Sequence, residues 1–113
     1  MRSDTERLKD ILDAIATIRS HMVSSREEYD ADEVKRWFYL KQIEIVGEAS
    51  WKLTPETKAK EPGFPWDRIA GMRHILVHDY WQVDWELLWF VLCNELDSLS
   101  AKVEGLLHDA GVA

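Results

Sequence analysis

The sequence predicts an all-α fold, a four- to five-helix up-and-down bundle. Three observations carry that prediction. Apolar residues recur at steps of three and four over most of the 113 residues, the spacing that places them along one face of a helix. No stretch alternates apolar with polar residues in the manner of a half-buried strand. All three prolines lie between positions 55 and 65, so a single connection absorbs them and the other segments are free to be helical.

The first helix is marked by Leu8, Ile11, Leu12, Ile15, Ile18 and Met22, with charged residues between them. Ser3 or Asp4 is its expected N-cap, and Glu6 falls in its first turn. The segment "VSSREEYDAD", residues 23–32, breaks the periodicity and reads as a connection ending in Asp30 or Asp32 as the next N-cap. A second helix near 32–53 carries Trp37, Phe38, Leu40, Ile43, Ile45, Val46, Ala49 and Leu53. These cover more than one face, and the excess over a single core stripe predicts a second contact surface. Gly47 costs about 1 kcal/mol against Ala in mid-helix, which a close helix crossing would explain.

Thr54 before Pro55 and Glu56 predicts the cap of one short helical turn. "EPGFP", residues 61–65, is a loop, and Pro65 suits the first turn of a third helix over 65–78. A fourth helix opens at Asp84 as N-cap and runs to about Leu107. Its seam is Trp85, Leu88, Trp89, Leu92, Leu96, Leu99, Val103 and Leu106, with Leu87, Phe90 and Val91 off it. Trp85 and Trp89 are expected in the core or between two copies of the chain. The nearly all-round apolar coat of the second and fourth helices predicts a homodimer.

Composition bounds the function. Residues 1–113 form one domain, with 46% hydrophobic and 31% charged residues, a globular balance. No run of 18 apolar residues marks a membrane span, and "MRSDTERLKD" lacks the apolar core of a signal peptide. The lone Cys93 allows no internal disulfide and is expected as a small buried apolar side chain. Together these predict a cytoplasmic protein. A net charge of −7 argues against DNA or other non-specific nucleic-acid binding, which phosphate contacts dominate. The charge is uneven: residues 1–78 hold 13 Lys and Arg against 14 acids, residues 79–113 one against seven. A locally positive cleft in the first two-thirds is compatible with that distribution.

"GMRHILVHDYWQVDW", residues 71–85, crowds Arg73, His74, His78, Asp79 and Tyr80 into eight positions. Three readings compete. In a structural one, Arg73 is an ion-pair partner, His78 a capping or core histidine, and Tyr80 an amphipathic edge residue. In a metal-site reading, His74 and His78 lie four apart, but Ile75 stands where a zincin has its glutamate, and His21 and His108 join no ligand-spaced cluster. In the third, a histidine transfers protons and an arginine fork steadies a phosphorane-like transition state without a metal or other cofactor. Geometry complicates it: five helical steps rotate by about 500°, leaving Arg73 and His78 roughly 140° apart. Either the helix ends near His78, or Arg73 reaches around, or the site combines two subunits.

"RHILVHDY" has the form Arg-x4-His-x-Tyr, and the chain resembles the HEPN ribonuclease toxins of the HepT type, the toxin halves of HEPN/MNT toxin–antitoxin pairs. The likeness runs from "QIEIVGEASWKL" through "GFPWDRIAGMRHILVHDYWQVDWELLW". It implies an all-helical, HEPN-like dimer whose two motifs line a shared cleft and cut RNA by 2′-OH attack, without a metal. Arg73 and His78 match the catalytic pair. Tyr80 matches the tyrosine that the cognate MNT nucleotidyltransferase antitoxin adenylylates to silence the toxin. His74 replaces the more usual Asn and is an auxiliary candidate, through hydrogen bonding to phosphate or through proton transfer. The implied partners are RNA, that antitoxin and a second copy of the chain. The runner-up is a non-catalytic helical protein that only binds a nucleotidyltransferase, since a fold does not guarantee activity.

Overall fold

The computed structural model describes residues 2–111. Helix α1 (Asp4–Ser20) opens on a capping box: Ser3 Oγ accepts from the Glu6 amide at 3.1 Å, and Glu6 Oε1 accepts from the Ser3 amide at 3.1 Å. Helix α3 (Glu33–Lys52) opens at Asp32, whose carboxylate accepts from the Lys35 amide. Between them the expected plain connection holds a short helix, α2 (Arg26–Ala31), capped by Ser25. Tertiary anchoring by one side chain explains it. Tyr29 is fully buried, its hydroxyl donates to the Trp85 carbonyl at 2.7 Å, and its ring lies parallel to that of Tyr39.

Thr54 caps α4 (Pro55–Ala59), as its sequence context predicts. The expected single third helix is two: α5 (Trp66–Ala70) and α6 (Met72–Leu76), separated at Gly71 with φ −89° and ψ 5°. Two short strands follow, β1 (Val77–Asp79) and β2 (Gln82–Val83), paired antiparallel with Val77 opposite Val83. They correct the expectation of no strand. Three and two residues are too few to show alternation, and tertiary ties hold them. The Asp84 amide donates to the Leu76 carbonyl at 2.7 Å across the hairpin base. The expected fourth helix is likewise two, α7 (Trp85–Asn94), capped by Asp84, and α8 (Leu96–Asp109). Glu95 breaks it at φ −111°, and its carboxylate pairs with Arg68 of α5.

The architecture is all-helical apart from that hairpin. Ile11, Ile15 and Ile18 of α1 meet Leu40, Ile43 and Val46 of α3 and Leu99, Val103 and Leu106 of α8 in one buried core. Each such side chain stabilises the fold by about 1.5–3 kcal/mol on full burial. Helix α5 crosses α3 at Gly47, where a Cβ would stand 3.2 Å from the Ile69 carbonyl oxygen and 3.4 Å from that of Ala70. This is the close crossing that Gly47 predicts, and it sets the start of α6 against α3.

Outside the core, Val34 and Trp37 of α3 and Phe90 of α7 are exposed. Trp85 and Trp89 are half-buried; Trp85 meets Trp37 edge-on and Trp89 packs on Tyr29. Cys93 is exposed, which corrects its expected burial: it follows Phe90 by three residues on the outer side of α7. Partial desolvation still holds its thiol above the ordinary pKa, against the pull of Arg26. Among the described residues, no helix is long and apolar enough to cross a membrane.

Candidate functional site

Helix α6 is little more than one turn, and its burial pattern decides what it displays. Met72 and Leu76, four apart, are buried. Arg73, His74 and Ile75 between them are exposed. The Arg73 Nε donates to Glu44 Oε1 of α3 at 3.2 Å. The ion-pair partner of the structural reading therefore exists. Its geometry is compatible with chemistry as well, because a contact through Nε leaves the two terminal nitrogens for a bidentate anion.

Arg73 and His74 open onto one cleft of about 610 Å³ between α3 and the α5–α6 pair. Its floor is Gly47, Ala70 and Gly71, and its walls carry Lys41, Glu44, Glu48, Trp51 and Asp67. Lys52, 2.9 Å from Glu48, holds that carboxyl below its ordinary pKa. Glu44, Glu48 and Trp51 escaped the sequence reading, although a signal was present. They share one stripe of α3 at steps of four and three, beside Gly47.

His78 and Tyr80 are placed elsewhere. The helix stops at Leu76, so His78 sits on β1 and is exposed, and the cleft does not extend to it. The helix does end before His78, yet within one chain the cleft that holds Arg73 does not reach His78. The same break puts His74 on α6 and His78 on β1, so the i, i+4 histidine pair of the metal-site reading does not form on one helix. Among the described residues, no three His, Cys, Asp or Glu side chains gather to hold a metal. Tyr80 occupies the hairpin turn and is 80% exposed. Its amide donates to Asp79 Oδ1 at 2.9 Å, and its ring meets Trp81 edge-on at 4.5 Å. One chain thus brings Arg73 and His74 into a common cleft and displays His78 and Tyr80 on the adjoining hairpin.

The family described as "Ribonuclease HepT-like" matches residues 11–106 of the chain. The chain belongs to the HepT-like ribonuclease family. Among its relatives, a "Probable ribonuclease HepT" of Thermococcus cleftensis is 33% identical over 106 residues, covering 93% of this chain and 96% of that protein. A "Putative RNase" of Caldanaerobacter subterraneus is 34% identical over 84 residues, 74% of this chain and 75% of the relative. Another "Putative RNase", from Methanocaldococcus jannaschii, is 31% identical over 77 residues, 68% and 71% of the two chains. No solved structure matches the chain. In this HepT-like ribonuclease the matched span includes the cleft, α6 and the hairpin.

Proposed function

We propose that the chain is a metal-independent endoribonuclease and the toxin of a HEPN/MNT pair. The observation that carries this reading is the joint exposure of Arg73 and His78 on either side of the helix break. Membership of a ribonuclease family supports RNA as the substrate class.

The chemistry assigns a role to each group. A base removes the proton from a 2′-OH, and the oxygen attacks the adjacent phosphorus. The bond from phosphorus to the 5′ oxygen breaks, an acid protonates that oxygen, and a 2′,3′-cyclic phosphate remains. Exposed on β1, His78 has access to solvent and substrate for one or both proton transfers. Arg73, held at Nε, offers its terminal nitrogens to the equatorial oxygens as charge builds there. His74, in the cleft with Arg73, donates a hydrogen bond to phosphate.

A single cleft does not include His78. This supports a site made by two protomers, in which the hairpin of one copy completes the cleft of the other. Tyr80, two residues beyond His78, is then the acceptor of AMP from the nucleotidyltransferase antitoxin. The added phosphate would occupy Arg73 in place of RNA.

The test is cleavage of RNA by the purified protein with a chelator present. Arg73→Ala and His78→Ala are each expected to lose about two to four orders of magnitude in rate with unchanged helicity. His74→Ala is expected to lose about tenfold. A requirement for zinc, with His74→Ala as inactive as His78→Ala, would establish the metal reading instead. Binding to the nucleotidyltransferase without any cleavage would leave the non-catalytic one.

A further inference from the structure

Five of the six tryptophans have an aromatic partner. Trp37 and Trp85 pack on each other, Trp66 on Phe64, Trp81 on Tyr80 and Trp89 on Tyr29. Among the described residues Trp51 has no aromatic partner, and it is 67% exposed. It stands on the last turn of α3, one turn beyond Gly47, in the wall of the cleft that holds Arg73 and His74. An indole left open beside the reactive groups is an apolar surface without a cover.

We infer that this cleft takes one unpaired nucleobase of the RNA, stacked on Trp51, and so directs cleavage to single-stranded segments. The inference rests on the ribonuclease reading and adds the part of the substrate that the cleft recognises. Size agrees: about 610 Å³ lies within the range of small-ligand sites, roughly 300–1,000 Å³. Charge agrees too. Glu48 and Asp67 share the cleft with Trp51, and carboxylates repel a phosphate but accept hydrogen bonds from the ring N–H and amino groups of a base. Lys41 and Arg73 also line the cleft, and Arg73, bonded to Glu44 through Nε, keeps its terminal nitrogens for a backbone phosphate. One cleft thus offers an indole face and carboxylate acceptors for a base together with a guanidinium for the backbone. A base inside an A-form duplex is already stacked and cannot reach an indole, whereas a splayed single-stranded base can. Aromatic stacking tolerates any base, because every base has a π-face.

The competing occupant is a second copy of the chain covering Trp51, and the experiment separates the two. Binding of fluorescein-labelled oligoribonucleotides, single-stranded and duplex, is measured by anisotropy in a His78→Ala background that cannot cut them. Oligomeric state is measured in parallel by sedimentation. Trp51→Ala is expected to weaken single-strand binding about tenfold or more, Trp51→Phe by less than about threefold. Duplex binding should be weaker and insensitive to both. In the cleaving protein, Trp51→Ala should raise KM with little change in kcat, because stacking is made equally before and during the reaction. Unchanged single-strand affinity in a protein that still cleaves RNA overturns this inference and leaves the ribonuclease reading standing. A changed oligomeric state in Trp51→Ala also overturns it, by assigning Trp51 to a protein contact. If the parent neither binds nor cuts RNA, the ribonuclease reading falls first and the inference with it.

Discussion

Arg73 donates from Nε to Glu44 Oε1 at 3.2 Å, and Glu44 is the less exposed partner, with 27% of its side chain accessible against 54% for Arg73. The carboxylate is fixed on a long helix and the guanidinium on a short one, so the contact aims Arg73. Glu44→Ala is expected to lower kcat about three- to tenfold, and Glu44→Gln, which retains an acceptor oxygen, by less. In an Arg73→Ala background Glu44→Ala should have no further effect, a double-mutant test of action through Arg73. A rise in activity on removing Glu44 would show that it competes with phosphate.

Tyr80 offers an exposed hydroxyl at a hairpin turn, where a modifying enzyme can reach it without unfolding the bundle. Incubation with ATP and a nucleotidyltransferase of the proposed antitoxin type is expected to add mass in whole AMP units, mapped to Tyr80 and absent from Tyr80→Phe. Cleavage should fall in proportion to the modified fraction. Full neutralisation of Tyr80→Phe would remove the switch but not the roles of Arg73 and His78.

Exposed Trp37 on α3 and Phe90 on α7 fit an interface built on the helices whose apolar coat exceeds one core. Light scattering or sedimentation at micromolar concentration should give a dimer. Phe90→Glu should shift it toward monomer and reduce cleavage, although Arg73, His74 and His78 are untouched. A monomeric parent with full activity would exclude the two-protomer site.

Gly47→Ala tests the helix crossing beneath the cleft. The added Cβ meets two backbone carbonyls, at 3.2 Å and 3.4 Å, and backbone yields less readily than a side-chain tip. The strain is expected to exceed the gain in helix propensity, for a net loss of about 1 kcal/mol and a Tm lower by about 4 °C. Thermal melting followed by circular dichroism measures it. An unchanged or raised Tm would mean that α5 moves aside freely.

Long-period features were legible in the sequence. Ser3, Asp32, Thr54 and Asp84 are all caps in the structure, and Gly47 marks a crossing. What escaped was decided by tertiary contact. The chain between α1 and α3 coils into α2 because Tyr29 finds a buried seat and the Trp85 carbonyl. Residues 77–83 pair as strands because Leu76 and Asp84 close the hairpin base. The motif residues could be named from their chemistry, but their separation onto a helix and a hairpin could not, since apolar spacing continues through Leu76 and Val77. Glu44 and Trp51 escaped because their one signal is a spacing of four and three residues around Glu48, on a helix otherwise rich in charged and aromatic residues.

Helix α6 has five residues, far fewer than the roughly 12–15 at which an isolated helix becomes even marginal in water. It holds its shape only while Met72 and Leu76 stay docked and Leu76 remains tied to Asp84. The arginine is thus mounted on the part of the chain least able to stand alone. A small opening of α5 and α6 would withdraw it while α1, α3 and α8 keep their common core. Such a site opens before the bundle unfolds: heat, denaturant or a bound partner that loosens this corner should end RNA cleavage ahead of the loss of helicity, and a chain still leaving the ribosome should be inactive until its last helices close over the first.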